Sequence, residues 1–176
     1  MTSRRRLFDE DVAAFVNPRA APKGIRLLAK VVSEPGLQFV WIARLQMSLE
    51  QNGRSRLARL IHLVNLRWTG AEFGHGCQVG GGFVAKHPLG VVVGSGTVIG
   101  RNCTVLHNVV FGERRVGYSE VEPKYPTLGD DCLVGTGAVV LGAVVVGSSS
   151  KIGAGAIVLH DVPDGATVVG NPARQL

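Results

Sequence analysis

The sequence predicts a mainly β repeat fold that follows an α-helical segment, and two regularities support this prediction. Aliphatic or aromatic residues recur every six positions in the C-terminal half of the 176-residue chain, and a glycine usually follows each of them. A period of six is neither the 3.6 of a helix nor the 2 of a strand, so it indicates coils of short strands and tight corners. The repeated residues are Val93, Ile99, Val105 and Phe111 on one register, and Leu128, Val134, Val140, Val146, Ile152 and Val158 on another.

Residues 1–70 are predicted to form an α-helical N-terminal segment. Apolar residues lie at helical spacing over 25–32, 37–49 and 57–68, and glycine-containing sequences end each run. Trp41 and Trp68 are expected to be packing anchors between these helices. Of the 24 glycines, 20 lie in residues 71–176, which places the change of architecture near residue 70.

Residues 71–163 are predicted to form the repeat domain, with two interruptions. The step from Val79 to Val93 is fourteen positions, two more than two repeats, so an irregular coil is expected there. The charged segment 112–127 cannot stay in a narrow apolar coil, so it is expected to leave the coil as a loop, and long loops are often functional. Residues 164–176 are predicted to be a C-terminal tail.

The positive charge of the chain lies in its first segment. Residues 1–70 contain 12 Lys or Arg and 5 acidic residues, whereas the rest contains 7 and 8. We expect these cations to be solvated, with no nucleic acid or membrane as partner, since no nucleic-acid motif accompanies them. Asp9 to Asp11 stand where an export signal would be apolar. Cys77, Cys103 and Cys132 lack zinc spacing and are expected to be reduced, buried filler in a cytoplasmic protein.

Several motifs accompany the hexads. They are His87-Pro88-Leu89-Gly90-Val91-Val92-Val93-Gly94, Tyr125-Pro126-Thr127-Leu128-Gly129, and Val162-Pro163 with Gly170-Asn171-Pro172-Ala173-Arg174. Together with the hexads they resemble the motifs of the hexapeptide-repeat acyltransferases, and most closely those of serine acetyltransferases. The resemblance implies a left-handed parallel β-helix, acetyl-CoA as donor, and a homotrimer whose active sites lie between adjacent prisms, with a dimer of trimers left open.

His87 matches the catalytic histidine of the family that it resembles. Transfer of an acetyl group to an alcohol requires the alcohol to lose its proton as it attacks, and a neutral imidazole suits this general-base role near pH 7. In serine acetyltransferases an aspartate assists the histidine, and Glu72, fifteen residues before His87, takes its place here. The resemblance therefore implies that Glu72 orients His87.

Two departures from the serine acetyltransferase pattern concern the acceptor. Lys86 stands where the family has an aspartate, and Lys124-Tyr125 stands where the family has an Arg-His pair that binds the substrate carboxylate. Lysine lacks the bidentate fork of arginine. We therefore expect the hydroxyl of a sugar or secondary metabolite as acceptor, with L-serine as the alternative, and Lys124, Tyr125 and His107 as substrate-binding residues.

The donor site is expected along the groove between prisms, where small residues permit a close approach. Cationic side chains suit the phosphates of CoA. The predicted donor-binding residues are Ala138, Lys151, Ala154, Ala156 and Arg174.

Two other function classes fit the same repeat. A metal-dependent carbonic anhydrase would need three converging histidines, and the candidates are His87, His107 and one histidine far from either, so no metal is expected. A non-catalytic scaffold would use the arginine-rich helices as its binding surface.

Overall fold

The computed structural model describes residues 4–16, 25–114 and 125–170. In these ranges helices come first and a coil of short strands follows, as the sequence predicts. The helices are α1 (Arg4–Val16), α2 (Ile25–Ser33), α3 (Pro35–Gln51) and α4 (Ser55–Thr69). Gly70 ends α4 in the left-handed conformation, with φ of 67°, which glycine adopts without steric cost.

The strands form three parallel sheets, which are the faces of a β-helix. Face A contains β1 (Glu72–Phe73), β4 (Val92–Val93), β7 (Val110–Gly112), β10 (Val139–Leu141) and β13 (Ile157–Val158). Face B contains β2 (Gln78–Val79), β5 (Val98–Ile99), β8 (Thr127–Leu128) and β11 (Val145–Val146). Face C contains β3 (Val84–Ala85), β6 (Thr104–Val105), β9 (Leu133–Val134), β12 (Lys151–Ile152) and β14 (Thr167–Val168).

The interior of the β-helix is a column of side chains from successive coils. In a regular coil each strand residue pairs with the residue 18 positions further along the chain, as Val92 does with Val110. All ten residues of the two hexad registers are buried, which confirms the inward positions that the sequence predicts. The three cysteines are free and buried, as expected for small filler.

The irregular coil is confirmed at the corner that joins face C to face A. Strands β3 and β4 are separated by six residues, 86–91, whereas the same corner of the next coil has four, 106–109. The two additional residues therefore enlarge one corner while the strands on either side keep their register.

The β-helix extends beyond its predicted end at residue 163. Strand β14 pairs with β12, with Lys151 opposite Thr167, and Val162 forms a bridge to Val146. This last coil is two residues shorter than a regular one, so the hexad register fails while the backbone completes the turn. The predicted tail boundary at 164 was wrong for this reason.

The helices cap the first coil of the β-helix. Phe39 of α3 stacks on Phe73 of β1, with ring centroids 4.9 Å apart, and Ala43 and Met47 are buried in the same core. The sequence patterns did not identify α1 as a separate helix, although it contributes one of the few buried charges.

A buried ion pair fixes α1 and α3 to the first coil. Both carboxylate oxygens of Asp11 accept hydrogen bonds from Arg44, at 2.9 Å, and Oδ1 also accepts the N–H of Phe83 at 2.9 Å. The Arg44 guanidinium also donates to the carbonyl oxygens of Val79 and Gly80. Because the two side chains are 0% and 3% exposed, each depends on the other for its charge compensation.

The tryptophans are not the packing anchors that the sequence suggests. Trp41 is 50% exposed and Trp68 is 73% exposed. In the described residues, no helix is long and apolar enough to cross a membrane.

Replacing Asp11 with Asn should lower the free energy of unfolding by about 3–5 kcal/mol, because it leaves the Arg44 charge buried and unpaired. Denaturant unfolding at a fixed protomer concentration measures the loss. Asp9→Asn, an exposed carboxylate on the same helix, is the matched control and should change stability by less than about 0.5 kcal/mol. Equal effects of the two substitutions would contradict the role given to this ion pair.

Candidate active site

His87 lies on the enlarged six-residue corner between faces C and A, where its imidazole is exposed. His107 lies on the same corner one coil further on, and the two ring centroids are 6.4 Å apart. The backbone N–H of Asn108 donates to the carbonyl oxygen of Leu89 at 3.0 Å, which holds the two corners in register. The structure thus brings together two of the predicted site histidines.

The corner between faces C and A continues as a straight edge of the prism. Gly137 N–H donates to the His107 carbonyl oxygen at 3.0 Å, and Gly155 N–H donates to that of Thr136 at 2.8 Å. His107, Thr136 and Ala154 therefore occupy equivalent places on successive coils, about 4.8 Å apart. An extended ligand lying along this edge would reach from the imidazoles to Ala154, which is exposed.

The other predicted donor-binding residues differ in their access to this edge. Lys151 is exposed on strand β12 of face C, on the same coil as Ala154. The side chains of Ala138 and Ala156 are buried in the core. Their backbone N–H groups donate to the carbonyl oxygens of Gly135 and Gly153, each at 3.2 Å. These two alanines therefore offer no free amide donor to a ligand, because the corner turns use those groups. Arg174 lies outside the described residues.

Tyr125 lies at a different corner, between faces A and B. Its ring covers the turn of Gly94, where an added Cβ would come within 2.6 Å of Tyr125 Cε1. Partial burial, and then a hydrogen bond to the negatively charged Glu113, raise the pKa of the phenol. Tyr125 therefore stays protonated at neutral pH and is able to donate a hydrogen bond. The adjacent Lys124 lies outside the described residues.

Face A separates Tyr125 from His87 within one chain. The enlarged corner with His87 precedes strand β4, whereas the turn that Tyr125 covers follows that strand. The two side chains are thus at opposite edges of the same face, so a small acceptor cannot contact both of them in a single chain.

Glu72 contacts a different histidine from the one that the resemblance implies. Its Oε2 lies 3.8 Å from Nε2 of His62, on α4. Nδ1 of His62 lies 3.0 Å from the carbonyl oxygen of Phe73 and donates to it, so Nε2 is the nitrogen that faces the carboxylate. Among the contacts of the described residues, Glu72 has none with His87 within ion-pair distance. The orientation of His87 by Glu72 remains a prediction.

Comparison with known proteins agrees with this architecture. The family model "Bacterial transferase hexapeptide (six repeats)" matches residues 125–160. Serine acetyltransferase of Bacillus subtilis (strain 168) is 39% identical over 169 residues, which cover 96% of this chain and 76% of the relative. The chain belongs to the serine acetyltransferase family.

Solved structures of serine acetyltransferases show the same fold. That of Neisseria gonorrhoeae, in complex with serine, matches with a TM-score of 0.82 at 30% identity, over 98% of this chain and 68% of that one. Isoform 3 of Entamoeba histolytica, in complex with cysteine, matches with a TM-score of 0.82 at 29% identity, and this chain spans 61% of its length. These matches confirm the predicted left-handed β-helix.

Membership of the serine acetyltransferase family makes the chain an acetyl-CoA-dependent acyltransferase, as predicted. The comparisons do not support the preference for a sugar or secondary metabolite as acceptor. Because the similar proteins are serine acetyltransferases, they favour L-serine, which the sequence analysis gives as the alternative acceptor.

A second polar cluster joins the helical cap of this serine acetyltransferase family member to its first coil. Glu50 Oε1 lies 2.7 Å from Nδ1 of His75, and Oε2 accepts the N–H of Gly76 at 3.1 Å. The rings of His75 and His62 are 5.7 Å apart, so this cluster adjoins Glu72. Sequence patterns gave no signal for it, because its members come from α3, α4 and the first corner between faces A and B.

The acid stability of the protein should depend on Glu50. Burial raises the pKa of this carboxyl, but hydrogen bonds from Gln46, His75 and Gly76 outweigh burial and leave it below the ordinary value of 4.5. Since a lowered pKa stabilises the folded state above the unfolded pKa, this contribution should be lost as the pH falls through the folded pKa.

Glu50→Gln should therefore lower the melting temperature at pH 7, and the difference from the parent should shrink as the pH falls through the folded pKa of Glu50, measured by thermal unfolding from pH 7 downwards. Glu34→Gln, at a surface pair with Lys30, is the matched control and should differ little from the parent at either pH. A constant difference between Glu50→Gln and the parent at all pH values would contradict this role of the carboxylate.

Proposed function

We propose that this chain transfers the acetyl group of acetyl-CoA to the hydroxyl of L-serine, with His87 as general base. The observation that supports this most is the enlarged corner, which presents an exposed imidazole at the head of a straight prism edge, in a chain of the serine acetyltransferase family. Exposure leaves His87 open to an acceptor from outside the prism.

The chemistry that we propose for His87 is a direct transfer. The imidazole takes the proton of the acceptor hydroxyl while the oxygen attacks the thioester carbonyl. The C–S bond then breaks, and the imidazolium returns the proton to the departing sulfur. The products are the O-acetyl ester and CoA with a free thiol, so no other reactant is consumed.

We infer that the acceptor site is shared between two copies of the chain in a homotrimer. His87 and Tyr125 lie at opposite edges of face A, so a site that uses both needs the edge of one prism to lie against the other edge of its neighbour. Closed three-fold assembly supplies this contact three times. In this arrangement one subunit contributes the base, and the next contributes Lys124 and Tyr125 for the carboxylate of serine.

The donor is proposed to lie along the edge that runs from His87 to Ala154. The exposed Ala154 has only a methyl group at this corner, so a pantetheine chain can approach the backbone closely. We assign Lys151, which is exposed on the same coil, to a phosphate of CoA, and Arg174 to the same role on sequence grounds.

A second candidate is an O-acetyltransferase for another small hydroxylated acceptor, such as a sugar or secondary metabolite. Lys124 and Tyr125 favour it, because they replace the Arg-His pair that serine acetyltransferases place at the base of the loop. A phenol and an ammonium group can both donate hydrogen bonds to a neutral polar acceptor, and they lack the bidentate fork with which arginine binds a carboxylate.

His87→Ala should lower kcat by about 100-fold or more, because the acceptor hydroxyl loses its base. The release of free CoA thiol from acetyl-CoA in the presence of serine measures the rate. His160→Ala, an exposed histidine on the last coil, is the matched control and should retain full activity. Undiminished turnover by His87→Ala would exclude the proposed mechanism.

Comparison of acceptors separates the two candidate functions. With saturating acetyl-CoA, serine should give the highest kcat/KM among serine, homoserine and a panel of sugars. Tyr125→Phe should raise the KM for serine severalfold and leave the KM for acetyl-CoA unchanged, since it removes one hydrogen bond to the acceptor. A sugar that outperforms serine by tenfold or more would favour the second candidate.

A further inference from the structure

Glu50 and His75 form a carboxylate–imidazole dyad at the edge between faces A and B. Oε1 of Glu50 lies 2.7 Å from Nδ1 of His75, and Nδ1 donates the hydrogen bond because a carboxylate only accepts. The N–H of Gly76 and Nε2 of Gln46 also donate to the Glu50 carboxylate, each at 3.1 Å. The carboxylate is thus fixed by three donors, and it orients the His75 ring as a carboxylate orients the histidine of many active sites.

The outer nitrogen of His75 is available to a ligand. The His75 side chain is 48% exposed, whereas that of Glu50 is only 18% exposed. In the part of the chain that the structure describes, Nε2 of His75 has no hydrogen-bond partner. With Nδ1 donating to Glu50, Nε2 of a neutral imidazole carries a lone pair and accepts. The dyad therefore offers one acceptor and one net negative charge.

The surroundings of the dyad are acidic. The ring of His62 lies 5.7 Å from that of His75, and Nε2 of His62 lies 3.8 Å from Oε2 of Glu72. Among the ion pairs of the described residues, none joins Glu50 or Glu72 to a lysine or arginine. A positively charged donor is therefore the group that suits Nε2 of His75.

His75 lies on the edge of the prism that also carries Tyr125. Residues 74–77 and 94–97 form this corner in the first and second coils. The N–H of Gly96 donates to the carbonyl oxygen of His75 at 3.0 Å, which stacks the two corners. A Cβ added to Gly96 would lie 3.6 Å from Cδ2 of Tyr125, so the phenol ring covers the second of these corners. His75 and the Tyr125 ring therefore lie on successive levels of one edge.

The proposed three-fold assembly brings this edge to His87 of the neighbouring subunit. His75 and His87 belong to the same first coil, since His75 follows β1 and His87 follows β3. Two prism edges lie against each other along their length only when the prism axes are nearly parallel. Rotation about a three-fold axis parallel to them leaves every residue at its height, so His87 of one subunit lies within one coil spacing, about 4.8 Å, of the height of His75 in the next.

We propose that the Glu50–His75 dyad of one subunit binds the ammonium group of L-serine, while His87 of the next takes the proton of the serine hydroxyl. The ammonium group donates an N–H to Nε2 of His75, and the charge of Glu50 compensates its own. Because L-serine is the acceptor only in the proposed function, this role of the dyad rests on that function. The dyad selects the acceptor and takes no part in the proton transfer.

The hydrogen bonding of the dyad decides between the two ends of serine. A carboxylate would need an N–H from His75, whereas Nδ1–H is already used by Glu50 and the neutral Nε2 has none. It would also lie near the like charge of Glu50. Tyr125, at the next level of the edge, has a phenol that donates, so the carboxylate suits that end of the site.

Three acceptors separate the two ends of serine. Ethanolamine keeps the hydroxyl and the ammonium group, and 3-hydroxypropionate keeps the hydroxyl and the carboxylate. His75→Leu should lower kcat/KM with serine and with ethanolamine by about tenfold or more, since each loses a charge-assisted hydrogen bond. It should leave kcat/KM with 3-hydroxypropionate and the KM for acetyl-CoA within about twofold. CoA release measures turnover, and competitive inhibition of serine acetylation measures the binding of the two analogues where their turnover is slow.

Two further variants test the parts of the dyad separately. Glu50→Gln keeps an oxygen for Nδ1 of His75 but removes the charge. In assays below its melting temperature it should lower kcat/KM with serine severalfold without lowering it for 3-hydroxypropionate. His75→Gln supplies an amide oxygen as acceptor and should recover part of the serine activity that His75→Leu loses. His160→Ala, on the last coil, is the control and should keep the acceptor preference of the parent.

Three results with His75→Leu would overturn this role of the dyad. The first is an equal loss with all three acceptors, which would show a structural role. The second is a loss with serine and 3-hydroxypropionate but not with ethanolamine, which would assign the dyad to the carboxylate. The third is undiminished turnover of serine; if His87→Ala is inactive in the same assay, the proposed function stands without the dyad. A parent that acetylates a sugar and not serine would instead contradict the proposed function and the role of the dyad together.

Discussion

The backbone hydrogen bonds between successive coils are the interaction on which the rest of the structure depends. Each coil must return its strands to hydrogen-bonding distance of the previous coil, with the same residue type inward. Eighteen residues achieve this with three two-residue strands and three four-residue corners. Insertions are therefore accommodated only at corners, as the pairs Gln78–Val98 and Val98–Thr127 show, since the register on both sides is preserved.

This constraint explains why the candidate site lies where the repeat is irregular. A corner residue in a regular coil has its backbone committed to the coils above and below. The two additional residues before strand β4 free His87 from that role, and Tyr125 lies at another corner, directly before strand β8. The straight edge between faces C and A then supplies a uniform surface on which an extended donor can lie.

The fold could be predicted from the sequence because the period of six is local and strict. The inward residues, the irregular coil and the helical segment all follow from spacing along the chain. The ion pair between Asp11 and Arg44 could not be predicted, because its partners are far apart in sequence and meet only when α1 and α3 cap the first coil. The exposure of Trp41 and Trp68 was missed for a similar reason, since spacing alone does not say which side of α4 packs on α3.

The site could be predicted only in part. His87 and His107 were selected by motif and by register, and they lie on the same edge of the prism, in successive coils. The contact of Glu72 with His62 depends on how α4 packs, and the positions of His87 and Tyr125 at two edges of face A become apparent only from the sheet topology. The sugar or secondary-metabolite acceptor was predicted from Lys124 and Tyr125 alone. The similarity to serine acetyltransferases extends over 96% of the chain and favours L-serine instead.

The central claim is that His87 of one subunit works with Lys124 and Tyr125 of the next. Mixing denatured His87→Ala and Lys124→Ala, Tyr125→Ala chains in equal amounts and refolding them together tests it most directly, by the rate of CoA release with serine. Each variant alone should be nearly inactive, while the mixture should regain about a quarter of the parent rate, because each mixed trimer then contains one intact site. A mixture no more active than its components would contradict a site shared between subunits.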